Sequence, residues 1–77
     1  MTVDHGSPEP AYLQLAGILR DRISAGEWQS GPLQSGPALE QEYGVGRDTV
    51  LRAISILRDE GLVFTVKRRG TYVAKRD

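Results

Sequence analysis

The sequence predicts an α+β fold in which three helices are followed by a C-terminal β-hairpin. Three observations carry this. Apolar residues recur at steps of three and four along three stretches, each closed by a glycine, Gly26, Gly44 or Gly61. Two short runs in the last third, 62–66 and 71–74, are β-branched and aromatic and flank a cationic turn. The chain has 77 residues and no cysteine, enough for one domain with one small core and no disulfide framework.

The elements follow in order. Residues 1–7 read as a flexible tail, residues 8–75 as the domain and 76–77 as a polar end. Ser7, Pro8 and Glu9 read as a helix start: serine caps, proline suits the first helical position, and glutamate suits the positive end of the dipole. Tyr12, Leu15, Ala16, Leu19 and Ile23 form one apolar stripe, with Ile18 off its centre, so the first helix is expected over 9–25. Residues 27–34 form a loop turned at Gly31 and Pro32 and anchored by Trp28 and Leu33. The residues near Leu33 are compatible with a short extended pairing. Ser35 caps a second helix over 36–43, whose inner face holds Leu39 and Tyr43. Val45, between Gly44 and Gly46, plugs the angle to a third helix over 47–60, whose buried stripe is Val50, Ala53, Ile54 and Leu57. Strands at 62–66 and 71–74 then make a hairpin whose tip carries Lys67, Arg68 and Arg69.

Composition narrows the function. With 39% hydrophobic and 26% charged residues the chain reads as globular rather than disordered. No signal peptide is visible and no apolar run approaches the ~20 residues of a membrane span, so the expected location is the cytoplasm, away from any membrane. No nucleophile–base pair, metal constellation or glycine-rich phosphate loop is visible, and His5 stands alone in the tail. No enzyme activity, metal or cofactor is therefore expected. Net charge is zero, but unevenly spread. Residues 1–43 carry two basic against six acidic side chains, and residues 44–77 carry eight against four. A neutral domain of this kind can still present one cationic face.

Helix, short helix, tight turn, helix and hairpin is the order of a winged helix-turn-helix. Such a pair holds the start of its second helix outward, where it can enter a major groove. Here that start is Gly46, Arg47, Asp48 and Thr49. An arginine there can bond guanine bidentately or grip a phosphate, and Thr49 with the free backbone amides suits phosphate oxygens. The tip at Lys67, Arg68 and Arg69 can reach the flanking backbone or the minor groove.

The stretch 12–73 resembles the DNA-binding domain of the GntR family of bacterial transcription regulators. The resemblance rests on Tyr12 through Ala16, Ile23 to Trp28, Leu33 to Ser35, Leu39, Gly44 to Val50, Ala53, Ile54, Leu57, Glu60 to Val63, and Arg69 to Val73 in this order and spacing. It implies a sequence-specific regulator that binds a palindromic operator in double-stranded DNA as a homodimer. The third helix would lie in the major groove and the 67–70 wing on the backbone or minor groove. The candidate DNA-binding residues are Ser35, Gly46, Arg47, Asp48, Thr49, Arg52, Lys67, Arg68, Arg69, Gly70 and Thr71. Family members carry a C-terminal effector-binding domain, and the chain is read as the isolated DNA-binding domain.

The sequence departs from the family pattern at several positions. Gly36 and Pro37 stand where the family has glutamate and arginine, Glu40 follows Leu39 in place of alanine, and Gly46 replaces a serine or threonine. Leu51 stands where an arginine usually follows Val50. Arg52 is one step on, turned by about 100° around the helix. Arg68 replaces the first glycine of the wing. These losses of cationic positions motivate a rival reading, a protein-interaction module on the same fold that pairs with another regulator. Arg52 is read either on a phosphate or paired with an acid, and Arg58 as solvated or salt-bridged. Trp28 and Tyr12 are read as packing residues or a dimer contact, and Leu51 as a surface leucine or a partner or dimer contact.

Overall fold

The computed structural model describes residues 2–28 and 31–74. Its elements are α1 (Ala11–Ser24), α2 (Gly36–Tyr43), α3 (Arg47–Asp59), β1 (Val63–Val66) and β2 (Gly70–Val73). The strands pair antiparallel, with Val63 opposite Val73 and Val66 opposite Gly70. This is the expected winged helix-turn-helix. Residue 75 and the polar end at 76–77 lie outside the described residues, as does Met1 of the tail.

The core is one cluster that draws on every element. Leu15, Leu19, Leu39, Val50 and Leu57 are its largest fully buried side chains. The predicted stripe of α1 is buried at Leu15, Ala16, Leu19 and Ile23, while Tyr12 stays half-buried and Ile18 joins the core. Leu39 and Tyr43 bury the inner face of α2, and Val45 packs half-buried against the cluster from the turn. Val50, Ala53 and Leu57 bury the inner face of α3, with Ile54 half-covered at its edge.

The start of α1 is corrected. The helix begins at Ala11 with Pro10 as its N-cap (φ −57, ψ 145), and the Pro10 carbonyl accepts the Leu13 and Gln14 amides at 3.1 and 3.2 Å. The residue before a proline is steered out of the α region, so Glu9, preceding Pro10, cannot belong to the helix. Ser7 does cap, but in a local turn, accepting the Glu9 amide at 3.2 Å. The stretch before the helix also adds a core residue that the pattern did not reveal, Val3, only 7% exposed. Gln14 holds this stretch against α1. Its Oε1 accepts the Asp4 amide at 2.7 Å, and its Nε2 donates to the Asp4 and Glu9 carbonyls at 2.9 and 2.8 Å.

The ends of α3 and the wing fix the rest. Gly61 (φ 77) closes α3: its amide bonds the Arg58 carbonyl at 3.0 Å and the Leu62 amide bonds the Leu57 carbonyl at 3.0 Å. This pairing returns the chain sharply and satisfies two helix-end carbonyls. Leu62 is spent on that cap, so β1 starts one residue later than expected. The loop before α2 joins the sheet edge. Pro32 bridges Tyr72, the Leu33 amide bonds the Thr71 carbonyl at 2.9 Å, and the Val73 amide bonds the Gly31 carbonyl at 3.0 Å. The extended pairing near Leu33 is therefore present.

Two arginines of α1 hold three glutamates. Arg20 donates to both carboxylate oxygens of Glu60, through Nε at 2.8 Å and Nη2 at 2.7 Å, tying α1 to the end of α3. Arg22 bonds Glu27 at 2.6 Å, Glu42 at 3.2 Å and the Tyr43 hydroxyl, and stacks 4.5 Å over the Trp28 ring. The Arg22 hydrogen bonds hold the Glu27 carboxyl below its ordinary value, and those of Arg20 do the same for Glu60. For Glu42 the largest cause is the Gln34 amide, with Arg22 adding to it.

At the wing tip Arg68 has φ 68, and the Arg69 amide bonds the Val66 carbonyl at 3.0 Å. That is the pattern of a type II turn, whose third position favours glycine. Replacing Arg68 with glycine should raise stability by about 1 kcal/mol, the Cβ penalty less the extra chain entropy glycine loses. The readout is a higher urea midpoint at unchanged slope; an unmoved midpoint would show that the turn carries no strain.

A carboxyl whose pKa is lowered on folding favours the folded state at pH above its unfolded value. That gain disappears as pH falls through the folded value. Urea midpoints should therefore drop on acidification below the ordinary glutamate value of 4.5. A Glu27→Gln, Glu60→Gln variant should drop less. Superimposable pH profiles would exclude these ion pairs as the source.

Candidate nucleic-acid interface

Ser35 is the N-cap of α2, its Oγ accepting the Ala38 amide at 3.3 Å. Because the oxygen serves as acceptor, the hydroxyl proton remains free to donate outward. Capping and phosphate binding are thus compatible in one side chain.

Gly46 is the extended N-cap of α3 (φ −86, ψ 172) and supplies no capping side chain. A Cβ built there would meet no atom within 4 Å. No side chain caps the first-turn amides of α3, the arrangement that suits an anion. Arg47 and Asp48 are exposed on this turn, and Thr49 is half-buried. Asp48 in the first turn complements the helix dipole.

The wing tip lies beside this prow. Lys67, Arg68, Arg69 and Gly70 are exposed and Thr71 is half-buried. Thr71 holds the loop before α2 through its carbonyl, which fixes the wing relative to Ser35. A groove of about 520 Å³ runs between the start of α2, the outer face of α3 and the wing. It brings together Ser35, Arg47, Arg69, Gly70 and Thr71 among the expected residues. Gly46, Asp48, Thr49, Lys67 and Arg68 flank these along the chain without lining the groove.

Arg52 differs. Its guanidinium sits 5.6 Å from the centre of the Tyr12 ring, a cation–π contact toward α1. It therefore lies off the groove, and its partner is an aromatic ring rather than the acid expected as one alternative. Arg58 donates to the Thr65 hydroxyl at 3.3 Å and links α3 to β1.

Pro37, Glu40, Leu51 and Ile54 are not among the site residues expected from sequence, yet all four line the groove. For Leu51 the available signal is its spacing, four residues after Arg47, which places both on one helix face. Glu40 is the single carboxylate of the lining. Among the described residues, the side chains of Arg47, Lys67, Arg68 and Arg69 engage no carboxylate, whereas Glu27, Glu42 and Glu60 are all held by arginine. Zero net charge thus coexists with uncompensated cations around one concave surface.

Known proteins share this arrangement of helices and wing. The family model "Bacterial regulatory proteins, gntR family" matches residues 11–73. The HTH-type transcriptional repressor NagR of Bacillus subtilis (strain 168) is 40% identical over 76 residues, which cover 97% of this chain and 31% of that repressor. The mannosyl-D-glycerate transport/metabolism system repressor MngR of Escherichia coli (strain K12) is 36% identical over 66 residues, covering 84% of this chain and 28% of the repressor. The chain therefore spans under a third of these curated relatives.

Among solved structures, the DNA-binding domain of AraR in complex with operator ORX1 superposes with a TM-score of 0.86 at 28% identity, covering 96% of this chain and 95% of that one. YtrA from Sulfolobus acidocaldarius, a GntR-family transcription factor, superposes with a TM-score of 0.84 at 33% identity, covering 97% and 80%. The match over 11–73 takes in all three helices and both strands, so the chain belongs to the GntR family of bacterial regulatory proteins.

Proposed function

We propose that the chain is the operator-reading domain of a GntR-type transcription regulator. In this reading α3 enters the major groove and the wing rests on the flanking backbone or in the minor groove. The observation that carries it is the placement of Arg47, with no carboxylate partner among the described residues, in one groove with Ser35, Arg69 and Gly70. The AraR domain bound to its operator supports duplex DNA as the ligand.

Each residue then has a role. Arg47 reads a base edge or clamps a phosphate, and Thr49 with the first-turn amides of α3 takes a phosphate oxygen. Ser35 donates its hydroxyl proton to the backbone. Asp48, beside the dipole, fixes the start of α3. Lys67, Arg68 and Arg69 neutralise phosphates from the wing, while Gly70 and Thr71 hold the tip at the right distance. Arg52, stacked on Tyr12, reaches a phosphate from the α1 side. One module of this size buries roughly 600–1,000 Å² on DNA, so two copies on a palindromic site give the useful affinity. Such a regulator works in the bacterial cytoplasm, where its operator lies.

Replacing Arg47 with alanine should weaken operator binding by about 1–3 kcal/mol and relax the base preference at one position per half-site. A mobility-shift titration giving wild-type affinity would remove Arg47 from the interface. Replacing Lys67, Arg68 and Arg69 together with glutamine should lower affinity for all duplexes. It should also flatten the dependence of log affinity on log salt, by about 0.9 for each phosphate that is no longer neutralised. A salt titration with an unchanged slope would leave the wing off the DNA.

A further inference from the structure

We propose that Leu51 reads the C5-methyl group of a thymine, one or two base pairs from the contact made by Arg47. This rests on the operator-reading function above and names part of its specificity.

Leu51 is 52% exposed, more than the other large exposed apolar side chains, Leu13 and Phe64. Phe64 is half-relieved by stacking on Tyr72 across the hairpin, with ring centroids 6.0 Å apart. Leu51 is the one of the three that lines the groove holding Arg47 and Arg69. It stands one helical turn after Arg47, so the two side chains are neighbours on one face. Pro37 and Ile54 extend the apolar surface beside it.

The occupant is set by charge and by chemistry. The rim carries Arg47 and Arg69 against the single carboxylate Glu40, which favours a polyanion over an apolar protein surface. The edges a duplex presents in its major groove are polar except for one feature, the thymine methyl. A leucine has no hydrogen bond to offer, so that methyl is the base feature it can select. Four residues advance about 6 Å along a helix, close to two base steps of about 3.4 Å each. That places the methyl beside the Arg47 contact. Where an arginine would demand guanine, Leu51 gains by excluding water from a methyl group.

The experiment uses the whole 77-residue chain. Bound sequences are selected from a random duplex pool, and each thymine of the selected site is then replaced singly by deoxyuridine, which lacks only the methyl. The expected result is one sensitive thymine per half-site, one or two base pairs from the position whose preference Arg47→Ala relaxes. Affinity there should fall about fourfold, the worth of one buried methyl-sized group. Leu51→Ala should bind thymine and deoxyuridine equally at that position. Its thermal melt should match the wild type, since Leu51 lies outside the core.

A site whose thymines all tolerate deoxyuridine, or that holds no thymine within two base pairs of the Arg47 contact, overturns this inference alone. Sensitivity that persists in Leu51→Ala does the same. A chain that selects no sequence overturns the operator-reading function, and this inference with it.

Discussion

Everything at the interface depends on how α3 is seated. The helix must be buried along one side firmly enough to be rigid, and bare along the other. Val50, Ala53 and Leu57 meet the first need, sharing one cluster with Leu15 and Leu19 of α1 and Leu39 of α2. In a small core, loss of one such leucine removes stabilisation of roughly 2–5 kcal/mol, a large fraction of what a domain of this size has. The bare side is then available without further adjustment. Gly46 contributes by omission, since it carries no side chain to cap the first amides of α3.

The neutral charge of the chain becomes intelligible once the ion pairs are located. Arg20 and Arg22 sit on α1 and bind three of the glutamates, so that much of the acidity around α1 is compensated there. Among the described residues, Arg47, Lys67, Arg68 and Arg69 are left without a carboxylate partner. Exposed pairs of this sort add little to stability individually, about 0–1 kcal/mol. Their larger effect is on the field: each glutamate held by an α1 arginine is one less counter-charge for the groove. Arg22 does this with its guanidinium stacked on Trp28, which gives it a fixed direction from which to reach Glu27, Glu42 and Tyr43 at once.

Much of this was legible in the sequence, and the exceptions have specific causes. The bounds of α2 could be read because Ser35 and Gly44 mark both ends with residues whose local chemistry is unambiguous. The start of α1 could not be read from Ser7, because two prolines compete there and the second one governs. Val3 gave no periodic signal, and its burial depends on Gln14, a polar residue whose three hydrogen bonds are tertiary in origin. The cationic prow was visible from spacing alone. The groove was not, since it is made by the loop at Pro32 and Leu33 meeting Thr71 and Tyr72, far along the chain, through a sheet-edge pairing that local propensity does not encode.

Positions 51 and 52 show how finely a helix divides labour. One step along the chain turns the side chain by about 100°. Leu51 therefore faces the groove with Arg47, while Arg52 is carried round to the Tyr12 ring on α1. The arginine is present in the composition either way, and a count of charges would treat the two arrangements as equal. Physically they are opposite. An arginine at 51 would add a hydrogen-bond donor to the reading surface, whereas Arg52 spends its cation on an aromatic face at the flank. If α3 reads DNA as proposed, the chain keeps a positive charge at the flank while presenting an apolar tooth in the groove. In the proposed reading, base preference follows from which side of α3 each residue occupies rather than from how many cations the helix contains.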